Sequence, residues 1–160
     1  AMTPHNAFLL LQGLETLNLR MQQHVSNALA MVTWLQQQDA VAWVNHPDIN
    51  AHAHTKALFP KGAGSMLTFG VKGGRDAGAA FINALQLSSN LANVGDSRTL
   101  VLHPGSTTHS RLSEEDLAAA GIGADLIRVS VGIENLKDIQ ADFSLGLRAA
   151  AKVVAHQAEA

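Results

Sequence analysis

Leu126-Ile127-Arg128-Val129-Ser130-Val131-Gly132-Ile133-Glu134 alternates apolar and polar residues before it reaches a glycine and an acid. Period-two alternation predicts a strand with Ile127, Val129 and Val131 on one face and Arg128 and Ser130 on the other. A strand buried on one face needs helices to cover it. An arginine on the opposite face is either a solvated strand residue or a fixed guanidinium fork for a carboxylate or phosphate.

The segments on either side alternate in type. Downstream, Asn135 is placed to cap a final helix whose apolar stripe is Leu136, Ile139, Phe143, Leu147, Ala150 and Val154. Upstream, Ser113 and Asp116 form a capping-box-like pair before a short helix that Gly121 ends. Thr99 to Leu102 reads as a strand broken by Pro104-Gly105. Asp76 to Leu85 reads as a helix after a Gly73-Gly74 turn, and Ser65 to Val71 as an alternating strand. Val41 to Val44 is a further short strand, and His46 to Lys61 a polar loop with at most a short helix.

The chain opens on one long predicted helix, Asn6 to Gln37. Leu14, Met21, Ala28 and Leu35 recur every seven residues, with Leu11, Val25 and Val32 between them and Asn18 as the polar break. Pro4 stands where a helix can begin. Phe8, Leu9, Leu10, Leu17 and Leu19 widen the stripe, which favours a core-facing helix over a coiled coil. The widening also predicts that the N-terminal part meets another surface. The whole pattern predicts an α/β sandwich: a small, mainly antiparallel sheet, helices packed on one face, and a long helix at each end. Ala1, ahead of Met2, is left out, and residues 2–160 are expected to form a single domain.

Composition narrows the partners. The 160 residues are 47% hydrophobic and carry a formal charge of −2, with neither the basic footprint of a nucleic-acid binder nor that of a protein drawn to anionic membranes. No apolar run is long enough to span a bilayer, and the first residues lack a signal-peptide pattern, so a cytoplasmic protein is expected. The absence of cysteine removes disulfides and thiolate metal sites. His46, His52 and His54 are close in sequence with only Asp48 nearby, a spacing unlike that of structural zinc sites, and no metal is expected. Gly62-Ala63-Gly64 and Gly70 to Gly74 fit neither phosphate-loop spacing and read as turns. Ser110, His109 and Asp116 are chain neighbours, which rarely converge into a catalytic triad.

The polar stretch from Leu91 to Ser110 is dense in hydrogen-bonding groups, notably Asn93, Thr108 and His109, with glycines that allow close backbone approach. Together with Asn6 to Leu17, Leu91 to Gly95, Pro104 to His109 and Leu126 to Glu134, it makes the chain resemble the C-terminal domain of the transsulfuration family. These are the pyridoxal-phosphate-dependent enzymes of cysteine and methionine metabolism, and the likeness is strongest to the O-acetylhomoserine sulfhydrylase branch. It covers nearly the whole chain, with several motifs in order.

The resemblance implies the small C-terminal domain of a fold-type I pyridoxal-phosphate transferase. It implies that Arg128 binds the α-carboxylate of a small amino-acid substrate, with Asn93 beside that carboxylate and Thr108 near the same site. It implies a parent enzyme that replaces the acetate of O-acetylhomoserine with a sulfur nucleophile, leaving the sulfur donor and the choice between homoserine esters and cystathionine open. The family's larger, cofactor-binding domain does not precede Asn6, and Lys56, Lys61, Lys72, Lys137 and Lys152 do not stand in its lysine motif. This chain is therefore expected to bind no pyridoxal phosphate, to be inactive alone, and to pair with the missing domain or with copies of itself. Relatives carry a slightly longer loop around His52-Ala53-His54. The alternative reading is a non-catalytic oligomerisation or interaction module from a split or truncated gene.

Overall fold

The computed structural model describes residues 1–49 and 53–159, without the side chains of Ala53, Glu114 and Glu159. His52 falls outside the described residues. The elements are α1 (Pro4–Glu15), α2 (Leu17–Leu35), β1 (Val41–Asn45), α3 (Ala53–Leu58), β2 (Met66–Val71), α4 (Gly74–Asn83), β3 (Ser89–Asn90), β4 (Leu100–Leu102), α5 (Glu114–Ala119), β5 (Leu126–Ser130) and α6 (Leu136–Glu159). The strands form one sheet in the order β1-β2-β5-β4-β3. Every neighbouring pair is antiparallel except β3 with β4, which is parallel. The mixed α/β architecture is the expected one; β3 is a two-residue edge strand that pattern reading does not find.

The alternation of β5 sets the two sides of the sheet. Ile127, Val129 and Val131 are fully buried, facing the helices. Phe69 and Leu67 of β2 stand opposite Ile127 and Val129 and join the same core. Ala28, Met31, Val32 and Leu35 of α2, Ala77 and Phe81 of α4, and Ile139, Phe143, Leu147 and Ala150 of α6 complete it. Phe69, Phe81 and Phe143 interlock at its centre, with ring centroids 5.4–6.2 Å apart and two of the three contacts edge-to-face. Gly146 lets α4 and α6 close on one another, because a Cβ there would lie 2.9 Å from the Phe81 carbonyl oxygen.

The predicted caps are present. Ser113 Oγ accepts the Asp116 N–H at 3.1 Å, and the Ile122 and Gly121 N–H groups bond back to Leu117 and Ala118 in a Schellman turn. Asn135 Oδ1 accepts the Lys137 N–H at 2.9 Å and starts α6.

The opening helix departs from expectation twice. It breaks at Thr16, whose φ and ψ of −103° and 2° leave the helical region. Gly13 and Thr16, both weak helix formers, share that turn, and Arg20 Nη2 donates to the freed Gly13 carbonyl at 2.6 Å. Beyond the break, no residue of α1 is buried, and Phe8, Leu10, Leu11 and Leu14 are each more than half exposed. The stripe is core-facing only in α2, because the sheet's helical layer ends there.

Two polar knots hold the loops against this framework. In the first, the Glu134 carboxylate accepts the Thr99 N–H at 2.6 Å and its hydroxyl at 2.9 Å, while that hydroxyl accepts the Gly132 N–H at 3.0 Å. Asn27 of α2 donates to the carbonyls of Gly132 and Glu134 at 3.0 and 2.9 Å, and His24 Nδ1 donates to that of Val131 at 2.7 Å. Gly132 is required here, since a Cβ would come within 2.5 Å of the Ser97 carbonyl oxygen. In the second knot, buried Asp142 of α6 accepts the N–H groups of Gln86, Leu87 and Ser88 at 2.6, 3.0 and 2.9 Å. Burial alone would raise the Asp142 pKa, but these amide donors outweigh it and hold the carboxyl below its ordinary 3.8.

Two outcomes are expected. Thr99→Val leaves a Glu134 oxygen and the Gly132 N–H without their partner and should cost about 1–3 kcal/mol in urea denaturation. Because the folded-state pKa of Asp142 is depressed, its contribution is complete above 3.8 and is lost as pH falls through the lower folded value. Asp142→Asn should cost about 1–3 kcal/mol near neutral pH and flatten the acid limb of the stability–pH curve.

Candidate functional site

Arg128 lies on the face of β5 turned away from the core. The ladders place it directly opposite Thr68 on β2 and Leu102 on β4, and Thr68 is in turn opposite Asn45 on β1. Directly opposed residues share a face, so Asn45, Thr68, Arg128 and Leu102 form one row across four strands. Leu102 is buried and closes one end of the row. The rest borders a groove of about 240 Å³ with His46, Pro47, Met66 and Leu67.

The guanidinium is weakly engaged. Nη2 donates to the Asn93 carbonyl at 3.4 Å and lies 4.0 Å from the Met66 sulfur. Among the described residues Arg128 makes no ion pair. A planar fork with five N–H donors therefore faces the groove without an anionic partner, the arrangement that receives a carboxylate in two parallel bonds. Ser130, on the same face, is buried, and its hydroxyl has no hydrogen-bond partner among the described residues.

The predicted site residues are placed unequally. Asn93 comes to Arg128 through its backbone carbonyl, while its side-chain oxygen accepts the N–H of Val94 at 2.9 Å. The first knot brings this loop to β5, since the Ile133 N–H also bonds Ser97 O at 2.9 Å. Thr108 sits in an exposed turn with its hydroxyl 2.9 Å from His109 Nδ1, and no hydrogen bond among the described residues joins it to Arg128 or Asn93.

His46 is a buried structural residue. Its Nδ1 accepts the Asp48 N–H at 3.1 Å, which leaves Nε2 to donate to Gly64 O at 3.3 Å. Among the described residues no three His, Cys, Asp or Glu side chains gather as metal ligands. Sequence reasoning missed Thr68 and Met66 as groove residues, because their position beside Arg128 depends on register. It also missed the knot residues His24 and Asn27; two polar residues on the buried stripe of a helix were the available signal.

Lys56, Lys61, Lys72, Lys137 and Lys152 are all exposed, and none lines the groove. The groove also carries no carboxylate side chain. The donor set suits an anion and does not fit a pyridoxal phosphate, which needs a lysine, a partner for its pyridine nitrogen and a phosphate cradle. Larger grooves lie along α6, far in the fold from Arg128, and one of about 500 Å³ runs between Ala40, Lys72, Leu147, Arg148 and Val154.

Residues 1–148 match the model of the Cys/Met metabolism PLP-dependent enzyme family. The chain is 47% identical over 150 residues to O-acetyl-L-homoserine sulfhydrylase 1 of Thermus thermophilus, covering 92% of this chain and 36% of that protein. It is 49% identical over 150 residues to homocysteine synthase of Schizosaccharomyces pombe, covering 92% and 35%. The crystal structure of a protein described as an O-acetylhomoserine (thiol)-lyase of Campylobacter jejuni superposes with a TM-score of 0.80 at 39% identity, covering 92% of this chain and 36% of that one. The chain thus spans about a third of the length of these relatives. By the family model matched over residues 1–148 and by these identities, the chain belongs to the Cys/Met metabolism PLP-dependent enzyme family.

Proposed function

We propose that residues 2–160 are the substrate-carboxylate-binding small domain of an O-acetylhomoserine sulfhydrylase-like enzyme. The observation that carries this reading is the Arg128 fork, fixed on a central strand and lacking an anionic partner, in a chain of this family. Arg128 holds the α-carboxylate of a small amino acid such as O-acetyl-L-homoserine. Asn93 borders that carboxylate from the clamped loop, and Thr108, in the exposed turn beyond β4, is assigned to the same site by the family resemblance. The contribution is orientation: a carboxylate held at two points fixes the direction of the rest of the molecule. Pyridoxal phosphate would supply the electron sink of the full enzyme, and the part of the relatives that this chain does not span would hold it. Alone, the chain binds substrate and does not turn it over.

The exposed apolar face of α1 supports a second part of the proposal. Phe8, Leu9, Leu10, Leu11 and Leu14 of α1 are all exposed, as is Leu17 at the start of α2. In the isolated chain this face is taken up by a second copy; in a longer protein it meets the remaining domain. The same face favours the alternative reading, a non-catalytic oligomerisation module, in which Arg128 would have no ligand.

Three measurements test these statements. Arg128→Ala should change stability by no more than about 0.5 kcal/mol, as expected for a side chain outside the core, yet remove the amide shifts that O-acetyl-L-homoserine induces near β5. Arg128→Lys should not restore them, because a point charge cannot reproduce the fork. Unaltered shifts in Arg128→Ala would favour the interaction module. In light scattering the chain should be a dimer or larger, and Leu10→Asp with Leu14→Asp should drive it towards monomer; a monomeric unmodified chain would count against α1 as a contact surface. Mixed with pyridoxal phosphate, the chain should show neither stoichiometric, single-lysine capture nor thiol-dependent turnover of O-acetyl-L-homoserine.

A further inference from the structure

The ladder register puts one more polar group on the Arg128 groove. Thr68 is the direct cross-strand partner of Arg128, which sets their Cβ atoms about 4.5–5.5 Å apart. Thr68 is only partly buried, and it borders the same groove of about 240 Å³. Its hydroxyl makes no hydrogen bond among the described residues. The apolar wall of Leu102 stands on the other side of Arg128, so the polar capacity of the row lies towards β2.

A carboxylate has about four lone-pair positions, and a guanidinium fork fills two of them. The remaining positions need donors that do not add a competing negative charge. A hydroxyl on the neighbouring strand meets that need, because it donates one hydrogen bond and can rotate to suit. The β-branched threonine also holds its hydroxyl in few rotamers, so little freedom is lost on binding.

We infer that Thr68 is a second carboxylate-binding residue, donating its hydroxyl hydrogen to the carboxylate oxygen beside the Arg128 fork. This rests on the reading that Arg128 holds the substrate's α-carboxylate. Thr68 would then help to select α-amino acids with a free carboxylate over esters and amides of the same skeleton. The strand itself does not need the hydroxyl, since valine has the same branching and a similar preference for strands.

The test uses the chain as it stands, isotopically labelled and titrated with O-acetyl-L-homoserine in unchanged, Thr68→Val, Thr68→Ser and Arg128→Ala forms. The dissociation constant is read from the amide shifts of β2 and β5. Thr68→Val should weaken binding roughly five- to tenfold, the worth of one hydrogen bond. Thr68→Ser should stay within about twofold of the unchanged chain, because it keeps the donor. Arg128→Ala should weaken binding by more than about tenfold. O-acetyl-L-homoserinamide, which lacks the charge, should bind more weakly than the acid to the unchanged chain. Unchanged affinity in Thr68→Val, with loss in Arg128→Ala, would overturn the role of Thr68 and leave the Arg128 site standing. Equal weakening by Thr68→Val and Thr68→Ser would also overturn it, since the hydroxyl would not be the cause. No binding by the unchanged chain, equal binding of the amide, or no effect of Arg128→Ala would remove the carboxylate site itself and the Thr68 inference with it.

Discussion

The hydrogen-bonded knot around Glu134 fixes the relation between three parts of the chain that are distant in sequence. Its carboxylate holds both donors of Thr99, the Thr99 hydroxyl receives the Gly132 amide, and Asn27 reaches from α2 to the same backbone turn. The buried oxygens and amides of Glu134, Thr99, Gly132 and Asn27 in this set find partners, and leaving them unpaired would be costly in so dry a setting. The knot ends β5 and holds the loop before β4. It also ties α2 to the exit of β5. Without it the Asn93 loop would have no fixed place beside Arg128.

The rest of the architecture divides the labour between the two faces of the sheet. One face is given wholly to packing, with the Phe69, Phe81 and Phe143 rings at its centre and α2, α4 and α6 above them. Asp142 serves that face, gathering three amides from the turn after α4. The other face therefore need not contribute all its residues to stability. It can carry a guanidinium with only weak protein contacts, because the side chain is partly exposed and remains solvated. In the proposed function, an anion arriving there would exchange solvent for a rigid fork whose strand is already fixed by core packing.

α1 shows the same logic in reverse. Its apolar residues have the composition of a core helix, but the sheet offers them no surface beyond Thr16. Within the described residues this stripe therefore stays exposed, an apolar face of the size that marks a contact surface in the proposed reading.

The sequence by itself determined the strand–helix succession apart from β3 and the break at Thr16, the caps at Ser113 and Asn135, the core stripe of α6 and the two faces of β5. These depend on periodicity and on local hydrogen bonds, which neighbouring residues carry among themselves. It also marked Arg128 as the unusual residue of its strand, and the motifs around it carried the family. Tertiary structure alone decided what stands beside that arginine. The placement of Thr68 and Leu102 follows from register, which depends on pairing between strands some sixty and twenty-six residues apart in the chain. It decided that His46 spends both ring nitrogens on backbone groups, that α1 lies outside the core, and that His24 and Asn27 are buried to serve the end of β5. Such facts come from contacts between distant segments, and a pattern read along one segment does not contain them.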